Sequence, residues 1–181
     1  RYIAENDPVA YDRYMEKVAA VVRDCCKKLG FPAPFLLLEP GRSIVGAAGI
    51  TLYQVGSVKT IPGIRTYVSV DGGMGDNPRY ALYQADYTFL AAARAGEPKT
   101  QTVTVAGKYC ESGDLLGENV SLQEVAPGEI LAVLATGAYN YSMASNYNRN
   151  PRPPVVLVGE KGDRVIVRRE SLEDLIRNDS D

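Results

Sequence analysis

The sequence predicts a mainly β protein: an antiparallel β-sandwich or barrel over residues 49–181, preceded over residues 1–48 by the last helix–strand unit of a larger α/β domain. Two observations support this prediction. Residues 7–29 place apolar side chains three to four positions apart, as an amphipathic helix does. After residue 41 the chain changes to short runs rich in Val, Ile, Thr and Tyr, separated by turn sequences such as Pro-Gly and Gly-Gly.

The first element is the predicted helix, which Asp7 can cap and Gly30 can end. Residues 35–39 then form a short apolar run that ends in Glu39, which is typical of a parallel strand buried on both faces. A single helix–strand unit cannot bury its own faces, so we expect this unit to need neighbours from a larger domain.

Seven further runs predict strands, at residues 51–59, 66–71, 87–91, 100–106, 129–134, 155–159 and 164–168. Lys161-Gly162-Asp163 lies between the last two and predicts a hairpin turn. Ser171 can cap a short final helix, since Glu173 and Asp174 follow at the positive end of its dipole.

Composition excludes several kinds of site. The chain has no histidine, which removes Ser-His-Asp and Cys-His catalysis and most zinc sites, so we expect no metal. A net charge of −2 without a dense basic cluster argues against a nucleic-acid partner, and no apolar stretch is long enough to span a membrane. Three cysteines, an odd number, argue against a disulfide scaffold and for a reducing, cytoplasmic compartment.

Glu39-Pro-Gly-Arg42 follows the predicted buried strand, and catalytic groups of α/β barrels lie at the carboxyl ends of strands. A turn at Gly41 frees N–H groups that can bind a phosphate, and Arg42 can add a charge-assisted hydrogen bond. A Pro-Gly turn is also common without any such role.

Residues 70–83 run from a predicted strand into a polar loop that contains Arg79 and Tyr83. These two side chains face one ligand if the segment forms a helical turn, and the forked guanidinium suits an acidic substrate. The alternative is a solvated loop with a surface arginine.

Two later loops also carry polar chemistry. Cys110 and Glu111 place a thiol beside a carboxylate, so that one can donate a proton and the other can hold an ammonium group. A cysteine that only packs is the alternative. Residues 137–149 are rich in Tyr, Asn and Ser, and the Tyr139 hydroxyl is a candidate donor to a phosphate, although such loops also form interfaces.

Taken in this order, the segments resemble the diaminopimelate decarboxylases, pyridoxal-phosphate-dependent enzymes of fold type III in the alanine-racemase-like superfamily. The matching stretches are EPGRSIV, YVSVDGGMGDNPR, ALY, CESGD, GAYNYSMASNYNRNPRP and VRRESLEDL. The resemblance implies that residues 1–48 end a (β/α)₈ barrel that binds pyridoxal 5′-phosphate and that residues 49–181 form the β-domain that completes the site. It also implies decarboxylation of meso-2,6-diaminopimelate to L-lysine, a step of lysine biosynthesis.

The resemblance further implies a role for each motif residue. The implied cofactor-binding residues are Glu39, at the pyridine nitrogen, with Gly41, Arg42 and Tyr139. The implied substrate-binding residues are Arg42, Arg79, Tyr83, Glu111 and Tyr139. Cys110 would return a proton to the substrate carbon, and Cys110 and Glu111 would act in the partner subunit's site of a homodimer.

In that family the lysine that binds the cofactor precedes the matched segments, so the 181 residues alone are expected to be inactive. Two alternatives stay open. Decarboxylases of ornithine, arginine or lysine share the EPGR stretch, but an acidic residue commonly follows their counterpart of Tyr83, where this chain has Gln84. The other alternative is a non-catalytic β-domain that dimerises or regulates.

Overall fold

The computed structural model describes residues 11–180 of the chain. The chain divides into two compact units, of which the first ends at Gly41 and the second begins at Arg42. No helix in the described range is both long and apolar enough to cross a bilayer.

A long helix, α1 (Tyr11–Leu29), begins the described part of the first unit. Its end is the predicted one, because Gly30 takes a φ of +72° and the Phe31 N–H donates to the Cys26 carbonyl at 3.0 Å. This is a Schellman end, which glycine favours since it meets no steric penalty at positive φ. The predicted start at Asp7 lies outside the described residues.

The strand predicted at residues 35–39 is absent, and this prediction is wrong for the structure: residues 31–40 have no regular secondary structure. Phe35 is 89% exposed and Leu37 is 85% exposed. A strand needs a neighbour to accept and donate its backbone hydrogen bonds, and the described part of this unit contains no second strand. Glu39 is exposed near the end of this irregular segment.

The described part of the second unit consists of short strands joined by loops and short helices. The strands are β1 (Ile50–Ile61), β2 (Arg65–Val70), β3 (Phe89–Ala91), β4 (Gln101–Ala106), β5 (Leu115–Leu122), β6 (Ile130–Leu134), β7 (Val155–Gly159) and β8 (Gly162–Val167). The helices are α2 (Arg42–Val45), α3 (Arg79–Tyr83) and α4 (Leu172–Ile176), with 3₁₀ turns at Gly46–Ala48, Ala92–Arg94, Tyr141–Met143 and Tyr147–Arg149. All seven predicted strands are present, with ends that differ by up to two residues.

Strand β5 is the one that the sequence pattern did not predict, because Gly117, Glu118 and Asn119 interrupt its apolar residues. It forms because β4 pairs with it along its length and because Leu116 and Leu122 are fully buried. Tertiary pairing therefore outweighs a weak local propensity here.

Six strands form one sheet in the order β3-β6-β1-β2-β4-β5, which confirms the mainly β prediction. Every neighbouring pair in it is antiparallel except β2 and β4, so the sheet is mixed where a purely antiparallel one was predicted. The reason is the connection: the chain leaves β2 through α3 and β3 before it returns as β4, and a crossover of that length permits parallel pairing.

The two edge strands of this sheet approach each other through Phe89 on β3 and Gly117 on β5. A methyl group at Gly117 would lie 3.1 Å from the Phe89 ring, which is itself buried. The sheet is therefore nearly closed, like a barrel, around a core of Val, Leu, Phe and Tyr side chains.

Strands β7 and β8 form a separate two-stranded sheet. Its turn is at residues 160–161, one position earlier than predicted, because Gly162 pairs with Gly159 inside the ladder. The last helix, α4, has the predicted Ser171 cap, which forms a capping box with Asp174.

Candidate functional site

Helix α3 presents Arg79 and Tyr83 on one face, as the predicted helical turn requires. The guanidinium carbon of Arg79 lies 5.0 Å from the centre of the Tyr83 ring. The helix ends after one turn because Gln84 takes a left-handed conformation, and its N–H donates to the Tyr80 carbonyl at 2.8 Å. The cation–π contact holds the Arg79 guanidinium against the Tyr83 ring.

Tyr139 brings a second arginine to the same place. The guanidinium carbon of Arg42 lies 5.1 Å from the centre of the Tyr139 ring, and that of Arg79 lies 5.4 Å from it. Guanidinium groups bind carboxylates and phosphates through charge-assisted, forked hydrogen bonds. The arrangement therefore suits a carboxylate or a phosphate, and half-exposed Tyr139 can add a hydroxyl.

Glycines explain why Arg42 and Tyr139 meet although they are far apart in sequence. A Cβ at Gly137 would lie 1.9 Å from the Val45 carbonyl oxygen, and one at Gly49 would lie 2.4 Å from the Gly137 backbone. The Gly137 N–H donates to the Gly46 carbonyl at 3.0 Å. Only glycine lets the turn after α2 pack directly on the backbone that leads into Tyr139.

The segment between β2 and α3, residues 71–78, is here called the glycine loop. Its anchor is Asp76, which is 8% exposed and accepts hydrogen bonds from the Tyr53 hydroxyl and, at 2.9 Å, from the Gly73 N–H. Burial raises the pKa of Asp76, and burial together with the Asp76 charge raises the pKa of Tyr53. A Cβ at Gly72 would lie 2.1 Å from the Tyr53 ring, so the loop can pack against Tyr53 only because residue 72 is glycine.

The segment between β4 and β5, residues 107–114, is here called the cysteine loop. It carries Cys110 and Glu111 on its exposed side and Asp114 on its buried side. The Asp114 carboxylate accepts the Met74 N–H at 2.6 Å through one oxygen and the Tyr109 N–H at 2.7 Å through the other. Burial raises the pKa of Asp114, while these two hydrogen bonds oppose that rise.

Glu111 is held as an ionised acceptor. Its carboxylate accepts the Gly113 N–H at 3.2 Å and the Tyr147 hydroxyl at 3.1 Å, and these bonds lower its pKa. The Cys110 N–H donates to the Asn148 side-chain oxygen at 3.1 Å, and the Cys110 thiol is free and exposed. A negative charge therefore lies beside an accessible thiol.

The structure brings the predicted residues of the second unit into two groups. The first, here called the arginine–tyrosine group, consists of Arg42, Arg79, Tyr83 and Tyr139. The second consists of Cys110 and Glu111. Residues 137–150, here called the tyrosine loop, contact both: the Arg79 guanidinium lies 3.6 Å from the Met143 sulfur, while Tyr147 bonds to Glu111.

Glu39 and Gly41, the other two predicted residues, belong to the first unit. Both are exposed. The described residues contain no cluster of three or more His, Cys, Asp or Glu side chains that is arranged to hold a metal ion.

Sequence reasoning assigned no role to Tyr53, Asp76, Tyr109 or Asp114. These are the side chains that hold the loops of both groups in place. The available signal was the spacing of Gly72, Gly73 and Gly75, since closely spaced glycines mark places where other side chains approach the backbone.

Comparison with known proteins gives a consistent result. The profile described as the C-terminal sheet domain of pyridoxal-dependent decarboxylases matches residues 7–137. The chain is 51% identical over 179 residues to the diaminopimelate decarboxylase of Bacillus subtilis strain 168, covering 99% of this chain and 41% of that protein. It is 49% identical over 178 residues to the diaminopimelate decarboxylase of Synechocystis, covering 98% of this chain and 38% of that protein.

A solved structure shows the same relationship. Diaminopimelate decarboxylase from M. jannaschii, in co-complex with L-lysine, superposes with a TM-score of 0.81 at 35% identity and covers 99% of this chain and 40% of that one. The chain thus spans about two fifths of the length of these relatives.

Proposed function

The chain belongs to the pyridoxal-dependent decarboxylases, and from that membership we propose that it forms the C-terminal part of an enzyme that converts meso-2,6-diaminopimelate to L-lysine and CO₂. The observation that carries the proposal is the convergence of Arg42 and Arg79 on the Tyr139 ring, together with the contact of Arg79 with the Tyr83 ring. A substrate with a carboxylate at each end needs a cationic group for the end remote from the reacting carbon.

Arg79 is the residue we assign to that remote carboxylate. Its guanidinium contacts two aromatic rings, which limits its freedom before any ligand arrives. A fork held in one orientation loses less entropy on binding and discriminates by geometry as well as charge. Tyr83, which is 61% exposed, can add its hydroxyl to the same carboxylate.

Within the second unit, we assign the phosphate of pyridoxal 5′-phosphate to the arginine–tyrosine group, because Arg42 and the Tyr139 hydroxyl suit it. Glu39 and Gly41, in the first unit, stay predicted cofactor-binding residues on the strength of the resemblance. When bound, the cofactor supplies the electron sink for the pair left behind by CO₂. The protein's part at Glu39 is to keep a proton on the ring nitrogen.

Cys110 is the group that we assign to return a proton to the substrate carbon. Its thiol is exposed on the cysteine loop, and the neighbouring Glu111 carboxylate is ionised at neutral pH, with its pKa lowered further by the hydrogen bonds from Gly113 and Tyr147. An ionised Glu111 can hold the distal ammonium group of the substrate.

Because Cys110 and Glu111 are both exposed, we propose that they complete the site of a partner subunit, which makes the homodimer the working unit.

The three cysteines of the described range, Cys25, Cys26 and Cys110, are free thiols. Proteins with unpaired exposed cysteines are typical of reducing compartments, so we propose a cytoplasmic location.

Parallel substrate assays test the proposed function. The full-length protein is supplied with pyridoxal 5′-phosphate, and CO₂ release is measured from meso-diaminopimelate, L-lysine, L-ornithine and L-arginine. We expect release from meso-diaminopimelate alone. Release from ornithine, arginine or lysine instead would favour the related decarboxylases. Cofactor binding without release from any of the four would favour a non-catalytic role.

A further inference from the structure

We propose that Asp114 is a positioning residue that holds the glycine loop and the cysteine loop in one fixed relation, so that Arg79 and the Cys110–Glu111 pair are set together. This inference deepens the proposed function and rests on it for the roles of Arg79 and Cys110. Asp114 itself is 4% exposed and lies on the buried side of its loop.

The carboxylate of Asp114 is the direct link between the two loops. One oxygen accepts the N–H of Met74, in the glycine loop, and the other accepts the N–H of Tyr109, in the cysteine loop. Arg79 is the first residue after the glycine loop, and Cys110 directly follows Tyr109. One buried group therefore holds the backbone of both loops, at Met74, five residues before Arg79, and at Tyr109, directly before Cys110.

The shape of the site shows that the carboxylate belongs in this position. A Cβ at Gly73 would lie 2.4 Å from one Asp114 oxygen, and a Cβ at Gly107 would lie 2.1 Å from the other. Each loop thus has a glycine where the carboxylate packs against its backbone. Gly73 also takes a φ of +154°, which few other residues adopt.

The other hydrogen bonds described between the loops are one backbone bond and one from the Tyr109 hydroxyl, and neither has an acceptor that binds an N–H of each loop. The Lys108 N–H donates to the Gly72 carbonyl at 2.9 Å. The neighbouring Asp76 accepts its backbone hydrogen bond from Gly73, within its own loop, and reaches the cysteine loop only through the Tyr109 hydroxyl at 3.5 Å. Of these two carboxylates, Asp114 is the one that accepts an N–H from both loops.

An asparagine at this position cannot make both hydrogen bonds. A carboxylate offers an acceptor on each oxygen, whereas an amide offers one oxygen and one NH₂ group. In Asp114→Asn one backbone N–H would face an N–H donor, although the volume of the side chain is unchanged. The substitution therefore tests the link between the loops with little change in packing.

The kinetic test is a double-mutant cycle in the full-length enzyme with Asp114→Asn and Arg79→Ala. We expect Asp114→Asn to lower kcat/KM for meso-diaminopimelate about 10- to 100-fold, the scale on which misplacement of a binding group acts. In the Arg79→Ala background the further loss should be smaller than in the wild-type background, because only the Cys110–Glu111 pair remains to be misplaced. Equal losses in both backgrounds would overturn the proposal. Asp163→Asn, on the exposed hairpin, is the matched control and should leave kcat/KM unchanged.

Amide hydrogen exchange gives a second test that does not depend on the reaction. In Asp114→Asn we expect peptides from both the glycine loop and the cysteine loop to exchange faster, while the β7–β8 hairpin is unchanged. Faster exchange in the cysteine loop alone would mean that Asp114 acts only on its own loop, and the proposal would be wrong.

These two tests separate the inference from the proposed function. Wild-type protein that releases no CO₂ would contradict the function, yet the exchange result would still decide the role of Asp114. If Asp114→Asn does not fold, Asp114→Glu replaces it in both tests. It keeps the charge but lengthens the link by one carbon, so we expect faster exchange in both loops; unchanged exchange in either would overturn the proposal.

Discussion

The guanidinium carbon of Arg79 lies 5.0 Å from the centre of the Tyr83 ring and 5.4 Å from the centre of the Tyr139 ring. One ring comes from the same short helix and the other from the tyrosine loop. Because both contacts form within this chain, the orientation of Arg79 is set before a ligand binds. Preorganisation of this kind favours geometry-dependent recognition of a carboxylate.

Arg79→Ala in the full-length enzyme should raise KM for meso-diaminopimelate far more than it lowers kcat. The contact to a remote carboxylate is the same in the ground state and the transition state, so its loss weakens binding uniformly. Loss of a charge-assisted hydrogen bond costs about 1.5–3 kcal/mol, which is roughly 10- to 150-fold in KM. Steady-state kinetics at saturating cofactor measure both constants.

The control for this variant is Arg79→Lys, which keeps the charge but not the fork. We expect an intermediate KM, since an ammonium cannot bind a carboxylate in two places. A variant that loses pyridoxal phosphate while its KM stays normal would show that Arg79 belongs to the cofactor instead.

Tyr53→Phe should lower the free energy of unfolding by about 1–3 kcal/mol, because it removes the hydroxyl that donates to the buried Asp76 carboxylate. The aromatic ring and its packing remain. The matched control is Tyr14→Phe, on α1, whose side chain is 57% exposed. Urea unfolding measures both, and equal midpoints for the two variants would contradict the assigned role of the hydroxyl.

Glu170→Gln should destabilise the protein at pH 7 and lose that effect in acid. Glu170 accepts the Arg152 Nε–H at 2.8 Å and an Asn146 amide proton at 2.6 Å, and the hydrogen bonds with Arg152 chiefly lower its pKa to about 2. A carboxylate whose folded-state pKa is lowered adds stability above its unfolded pKa, and that stability disappears as pH falls toward the folded value.

The difference between Glu170→Gln and wild type should therefore shrink as the pH is lowered from about 5 toward 3. Urea midpoints at several pH values measure it, with Asp163→Asn as the exposed control. A difference that stays constant over this range would show that the ion pair is not its source.

Mixed dimers should show that Arg79 and Cys110 serve different sites. If each site takes Arg79 from one subunit and Cys110 from the other, a dimer of one Arg79→Ala chain and one Cys110→Ala chain has one intact site. Random mixing makes half of the dimers mixed, so about a quarter of wild-type activity should return at low substrate concentration. Activity no higher than the mean of the two single variants, with the presence of mixed dimers verified, would contradict the shared-site proposal.

Much of the secondary structure could be predicted because it depends on local patterns. The three-to-four spacing in α1, the runs of β-branched residues in β1, β4 and β7, and Ser171 before α4 each carry a signal within a few residues. Residues 35–39 and strand β5 were predicted wrongly for one shared reason. Whether a short segment becomes a strand depends on the partner that hydrogen-bonds to it, which its own residues do not show.

The sequence by itself determined the mainly β class, the order of the motifs and the kinds of residue in the candidate site. Chemical type and spacing along the chain are properties of the sequence, so Arg79, Tyr83, Cys110, Glu111 and Tyr139 were visible in it. Only the tertiary structure decided that Arg42 and Arg79 share the Tyr139 ring and that Asp114 bonds to both the glycine loop and the cysteine loop. Such contacts join residues from distant parts of the chain, and they arise when the β-sheet brings the ends of its strands together.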